Sequence, residues 1–377
     1  MKLAIIGTAH PYRGGLSAFN ERLAKEFIKE GHEVVIYTFS LQYPSFLFPG
    51  KTQYAAESAP EGLKIIRCIN SINPLNWISV GLKIRKEGFD AAVFCYWMSF
   101  MAPCMGTIAR MLSKKKTKRI ALVHNMLPHE KSILDILFPG YFVRSIDGFT
   151  AMSEVVKKDI HKLGGKNKPI TLTPHPLYDH FGSILPREEA VKTLHLDSNY
   201  RYILFFGLVR AYKGLDLLLE AFGDKRLRKL PLKLLVAGEF YEDQQRYLDI
   251  INEQQLSEHV FIYDDYIPEQ EVREWFSAAD IIVQPYRSAT QSGISQIAYH
   301  FEKPMLVTNV GGLSEIVPNG KAGYVVEPKV AEIANALLDF YENNRKEAFE
   351  AGSKSEKQKY HWNVMTRKMT ELLKEIK

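Results

Sequence analysis

Residues 202–222 read YILFFGLVRAYKGLDLLLEAF, and three signals follow one another along them. YILFFG (202–207) is an apolar run of strand length, and from Gly214 to Phe222 the apolar residues recur at helical spacing. A buried strand, a loop and an amphipathic helix form half of a βαβ unit, and in an open parallel sheet ligands gather at that strand-end loop. The loop holds Arg210 and Lys213. Two cations three residues apart suit a diphosphate, Arg by gripping two phosphate oxygens at once and Lys as a compact charge. Ordinary surface basicity gives the same spacing, so the rest of the chain has to decide.

Elsewhere the same alternation recurs. Short runs rich in Ile, Val and Phe, namely LAIIG (3–7), EVVIYTF (33–39), LKIIRC (63–68), DAAVFCYW (90–97), RIALVHN (119–125) and GFTAM (148–152), alternate with helical patterns such as 17–30. A second series restarts after residue 200 with KLLVAG (233–238), VFIYDD (260–265), DIIVQPY (280–286), PMLVTN (304–309) and GYVV (323–326). Continuous apolar runs of this length are buried parallel strands, so the class is α/β with two doubly wound, Rossmann-like domains. Residues 169–186 carry four prolines and little periodicity, the look of a linker. The expected division is a domain over 1–175, a second over 186–355, and a terminal helix over 356–377 whose Tyr360, Trp362, Met365, Met369 and Leu372 require a docking surface.

Composition narrows the function. A length of 377 residues exceeds what one core serves, and 46% hydrophobic with 24% charged residues describes a packed globular chain. Three cysteines without metal-ligand spacing read as reduced buried thiols, and no apolar stretch reads as a signal or a membrane span, which points to the cytoplasm. The net charge of +6 is unevenly placed: six of the ten residues from Arg110 to Arg119 are Lys or Arg. A solvated helix end explains that cluster, and so does peripheral contact with an anionic membrane. Nucleic acid is not expected, since aromatic–basic interleaving is absent.

Further loops fall where ligand chemistry is built. In TQSGI (290–294), Gly293 opens a helical stretch, and the N–H groups of Gly293 and Ile294 with the Ser292 hydroxyl could hold an anion; a simple helix cap is the alternative reading of Ser292. Gly311-Gly312 precedes Glu315, which either caps its helix or meets sugar hydroxyls. Gly14-Gly15 lets a backbone approach a ligand. His124 ends the strand RIALV, with Asn125, His129 and Glu130 following it.

Taken together, FGLVRAYKGLDLLLEAF, VFIYDDYIPEQEVREWFSAADIIVQPY, KPMLVTNVGGLSEIVPNGKAGYVV and PYRGGLSAFNERLAKEF resemble the family-4 retaining glycosyltransferases of GT-B fold, over nearly the whole chain. The resemblance implies two domains facing across a cleft, with a final helix returning to the first. It implies a UDP- or GDP-type sugar donor on the second domain, held by Gly207, Arg210, Lys213, Ser292, Gly293, Ile294 and Glu315, with the Gly15 loop closing from the first. His124 matches the family's histidine beside the transferred sugar, and Asn125, His129 and Glu130 are candidates for the acceptor side. The chain departs from the family pattern in SATQSGISQIAYHFEKP (288–304), where two glutamates separated by seven residues are usual; Gln291 and Gln296 are the candidate substitutes.

The implied mechanism is same-face attack by the acceptor hydroxyl, the leaving phosphate oxygen taking its proton. Arg210, Lys213 and the N–H groups near Ser292 would then stabilise the departing diphosphate without an obligatory metal or cofactor. The working expectation is transfer of a hexose-type sugar to a carbohydrate or lipid-linked acceptor in cell-surface polysaccharide biosynthesis. A nucleotide-sugar epimerase of the same shape and a non-catalytic sugar-nucleotide-binding protein stay open as alternatives.

Overall fold

A computed structural model describes residues 1–44, 53–55, 58–113, 115–127, 134–289 and 292–376, and the chain forms two compact units. The first comprises Met1–Pro174 with Trp362–Lys377, the second His175–His361.

The first unit is a seven-stranded sheet of β1 (Lys2–Ile6), β2 (Glu33–Leu41), β3 (Lys64–Asn70), β4 (Ala91–Tyr96), β5 (Lys118–Val123), β6 (Gly148–Ala151) and β7 (Ile170–Leu172). Every pairing is parallel, in the order β3-β2-β1-β4-β5-β6-β7. Alternate residues of β1 serve opposite faces, Ala4 and Ile6 one core and Leu3 and Ile5 the other. Between the strands run α1 (Gly15–Lys29), α2 (Pro74–Glu87), α3 (Ala102–Met111), α4 (Leu134–Ser145) and α5 (Glu154–Ile160). One face is packed by α2 to α5 and the other by α1.

The second unit is a six-stranded parallel sheet of β8 (Arg201–Phe206), β9 (Leu232–Ala237), β10 (Val260–Tyr263), β11 (Ile281–Gln284), β12 (Met305–Thr308) and β13 (Gly323–Val326). Its order is β10-β9-β8-β11-β12-β13, so the strand order reverses between β8 and β11. Its helices are α6 (Arg187–Thr193), α7 (Leu215–Phe222), α8 (Gln245–Glu253), α9 (Val272–Ala278), α10 (Gly293–His300), α11 (Leu313–Ile316), α12 (Val330–Glu342) and α13 (Lys346–Lys357). The first unit is completed by α14 (Trp362–Glu375).

All the quoted apolar runs become strands, and three expectations change. The proline-rich stretch 169–186 is not simply a linker: β7 pairs with β6 inside it. As the sheet's edge strand β7 needs partners on one side only, so flanking prolines are tolerated. The terminal helical pattern splits into α13 and α14, because Tyr360 is anchored between them by its hydroxyl on the Ile316 carbonyl (3.0 Å) and by stacking on Tyr299 (4.8 Å). Trp362, Met365, Met369, Leu372, Leu373 and Ile376 then share a core with Phe19, Leu23 and Phe27 of α1.

The basic cluster also thins. Arg119 alternates inward on β5 and is buried in an ion pair with Asp147, its Nε on Oδ2 at 2.8 Å. Lys118 donates to the Leu373 carbonyl at 2.8 Å, and Arg110 lies on the Tyr141 ring at 4.1 Å and reaches Ser145 at 2.8 Å. Lys114 lies outside the described residues. The solvated part shown is Arg110, Lys115 and Lys116.

Candidate functional site

The loops after β8 and β11 flank the point where strand order reverses in the second unit, the position at which open parallel sheets hold ligands. They meet backbone to backbone. Gly214 has φ 66° and a Cβ there would lie 2.1 Å from the Pro285 carbonyl oxygen, so any side chain would push the two loops apart.

Gly207 fixes the centre of the site. Its φ is 91°, and a Cβ on it would stand 3.3 Å from both Lys213 Nζ and Ile294 Cδ1. The ammonium and the side chain of Ile294, in the first turn of α10, therefore converge on one point beside the Gly207 backbone.

The two cations differ in kind. Arg210 is exposed, its guanidinium 5.1 Å from the Tyr241 ring centre. Lys213 is only 8% exposed, with Nζ 5.8 Å from the Tyr286 ring centre. Burial first, and then the charge of Arg210, bring its pKa down to about 8; no carboxylate among the described residues opposes them. Lys303 is buried to the same degree and has the same lowered pKa of about 8, but it donates to the Ser277 carbonyl at 3.2 Å and faces Glu350 at 4.0 Å. Asp216, three residues along the chain, is committed to Arg287 (2.7 Å) and Arg246 (3.0 Å), and Glu242 accepts from the Ala211 N–H (2.7 Å). A buried ammonium without a counter-charge is costly, and an anion in the loop would relieve it.

Ser292 occupies the position before α10 but does not cap it. Its hydroxyl donates to Gln284 Oε1 at 2.6 Å, as does that of Ser295 at 3.1 Å. Gln296 is fully buried, neither amide atom partnered among the described residues, so it presents no surface to a ligand. Gly293 is exposed, and the ring of Tyr178 would lie 3.0 Å from a Cβ on it. Glu315 is exposed and does not cap α11. Gln291 lies outside the described residues. Sequence reasoning missed Gln284, whose signal was a lone amide closing the run Ile-Ile-Val.

In the first unit, α1 opens at Gly15 after Gly14 with φ 107°, open space around it and no side-chain cap. His124 follows β5, its N–H on the Tyr96 carbonyl (2.9 Å) and its ring edge-on to Phe19 at 4.7 Å. Phe19 rests on Trp362 of α14 at 4.9 Å. Asn125 is half-buried next to it, and His129 and Glu130 lie outside the described residues. Among the described residues no group of three or more His, Cys, Asp or Glu side chains is placed to hold a metal ion.

Residues 186–358 match the family Glycosyl transferases group 1, and residues 13–178 match Glycosyltransferase Family 4. The chain is a glycosyltransferase of the GT-B type. Over 165 residues it is 29% identical to a D-inositol 3-phosphate glycosyltransferase of Catenulispora acidiphila, covering 41% of this chain and 39% of that protein. Over 206 residues it is 25% identical to the lipopolysaccharide 1,2-N-acetylglucosaminetransferase of Salmonella typhimurium, covering 50% and 52%. The aligned part thus spans between about two fifths and half the length of these relatives. The glycosyltransferase also shares its fold with HepE of Anabaena, solved in complex with UDP, at a TM-score of 0.75 with 14% identity over the whole of both chains.

Proposed function

We propose that this glycosyltransferase takes a hexose-type sugar from a UDP- or GDP-type donor and passes it, with retention, to a carbohydrate or lipid-linked acceptor in cell-surface polysaccharide biosynthesis. The observation that carries the donor half is Lys213: a buried lysine with no acid opposing it among the described residues, near the first turn of α10, which Ser292 leaves uncapped. A diphosphate supplies the missing charge, Arg210 reaches it from solvent, and the backbone at Gly207 leaves room for it. His124 is the proposed contact to the transferred sugar, held by Phe19, with Asn125, His129 and Glu130 toward the acceptor. Glu315 and Gln291 are proposed donor contacts, and Gly15 opens the first unit's own uncapped helix. No metal is assigned a role.

A lipid-linked acceptor suits the outer face of α2. Leu75 (78% exposed), Ile78 and Leu82 lie on one side of that helix, followed by exposed Lys83, Arg85 and Lys86. An apolar stripe beside cations fits the surface of an anionic bilayer. Among the described residues no helix is long and apolar enough to cross one.

Thermal denaturation with UDP-, GDP- and ADP-sugars tests the donor assignment, because a ligand of the folded state raises its stability with the logarithm of concentration above Kd. A rise with UDP or GDP compounds that Lys213→Ala abolishes is expected. Equal rises in wild type and Lys213→Ala would remove the reading.

A further inference from the structure

We infer that Gln284 is a positioning residue that keeps the first turn of α10 open to the donor's diphosphate by diverting the Ser292 hydroxyl away from it. This rests on the donor reading above.

Gln284 closes β11, is 1% exposed, and points its Oε1 at the start of α10. An amide oxygen only accepts, so both Ser292 and Ser295 donate to it. Ser292 stands in extended backbone (φ −135°, ψ 121°) one residue before the helix, where a serine ordinarily turns its oxygen to the second or third amide of the helix. Here that oxygen is drawn into the interior. Ser292 consequently caps none of the first amides of α10, and no other side chain among the described residues accepts from them; such amides are the groups that bind anions at helix N-termini.

The independent sign of a ligand is Lys213. The residue is more than nine-tenths buried, and its Nζ stands 3.3 Å from the point beside Gly207 that also lies 3.3 Å from Cδ1 of Ile294, in the first turn of the same helix. The cation thus meets the side chain of a residue in the first turn of α10, while the hydroxyl that would cap that turn is held back by Gln284. The missing cap is the condition for a phosphate to take its place.

Ligand affinity across a cycle of variants tests this, with UDP and GDP as the calorimetric probes. In Gln284→Leu the Ser292 hydroxyl is released to cap α10, and UDP affinity should drop about tenfold, the strength of one such cap. In Gln284→Leu/Ser292→Ala the hydroxyl at the cap position is gone, and affinity should recover to within about threefold of wild type. Recovery on adding a second substitution separates positioning from loss of packing, which would accumulate. Unchanged affinity in Gln284→Leu, or a double variant no tighter than the single one, overturns the inference. Amide exchange in the wild type provides a second measure: Ile294 and Ser295 should become protected at saturating UDP, and unaltered exchange overturns it as well. If wild type and Lys213→Ala bind UDP and GDP equally, the donor reading itself has failed, whatever Gln284 does.

Discussion

Lys213→Met should make the ligand-free protein more stable and the donor complex weaker. The lysine's pKa is about 8 in the folded chain against 10.5 for the ordinary group, with burial the main cause. At 1.36 kcal/mol per unit, keeping that charge inside costs the fold about 3 kcal/mol at pH 7. Between pH 8 and 10.5 the unfolded chain holds the proton that the folded chain has lost, so stability from this site rises with pH through that window, and the full penalty is present below it. Met keeps the length and the apolar stem without the charge. The unfolding transition of the second unit should therefore rise by roughly 6–12 °C at pH 7, at about 2–4 °C per kcal/mol for a unit of this size. The gain should shrink to near zero by pH 11. Removing one partner of a buried charge pair costs about 2–5 kcal/mol, which predicts UDP or GDP binding roughly 30- to 5,000-fold weaker. Scanning calorimetry at pH 7 and 10, with isothermal titration of UDP and GDP, measures both sides. A variant no more stable at pH 7 that binds nucleotide as well as wild type would refute the account of Lys213 as an anion's counter-charge.

Gly207→Ala places a methyl 3.3 Å from the Lys213 ammonium at a φ of 91°, and should weaken nucleotide binding at least tenfold by titration while the protein still folds. Trp362→Ala removes the ring supporting Phe19 and, through it, His124; a loss of about 3–5 kcal/mol in the first unit, with reduced transfer, should appear in denaturant melts and product assays. Vesicles containing anionic lipid should carry the protein upward in flotation at low salt and release it at high salt, and Leu75→Ser/Leu82→Ser should stay at the bottom; equal flotation of the two proteins would remove α2 as the contact.

How far the sequence could be read depended on whether a property was local. Strands such as YILFFG declare themselves because burial on both faces demands a continuous apolar run, whereas β7, three residues among prolines, has too little pattern to show. The loop cations were visible, but not their division of labour: Arg210 and Lys213 read as a pair, and only the meeting of two loops buries one and leaves the other in solvent. Arg119 looked like part of a basic surface until the register of β5 turned it onto Asp147. Ser292 had two readings from sequence, a cap or a ligand, and its partner proved to be a side chain eight residues earlier that no local motif connects to it. His129, Glu130 and Gln291 lie outside the described residues.

The placement of α14 in the first unit has a consequence for biosynthesis. A ribosome emitting 5–20 residues per second needs roughly 10–40 s to make His175–His361 before Trp362 appears. Throughout that interval Phe19, Leu23 and Phe27 lack the apolar surface that covers them in the finished protein. The nascent first unit is thus a natural client for chaperones, and the second, whose elements are contiguous in the chain, can reach its native state before the first.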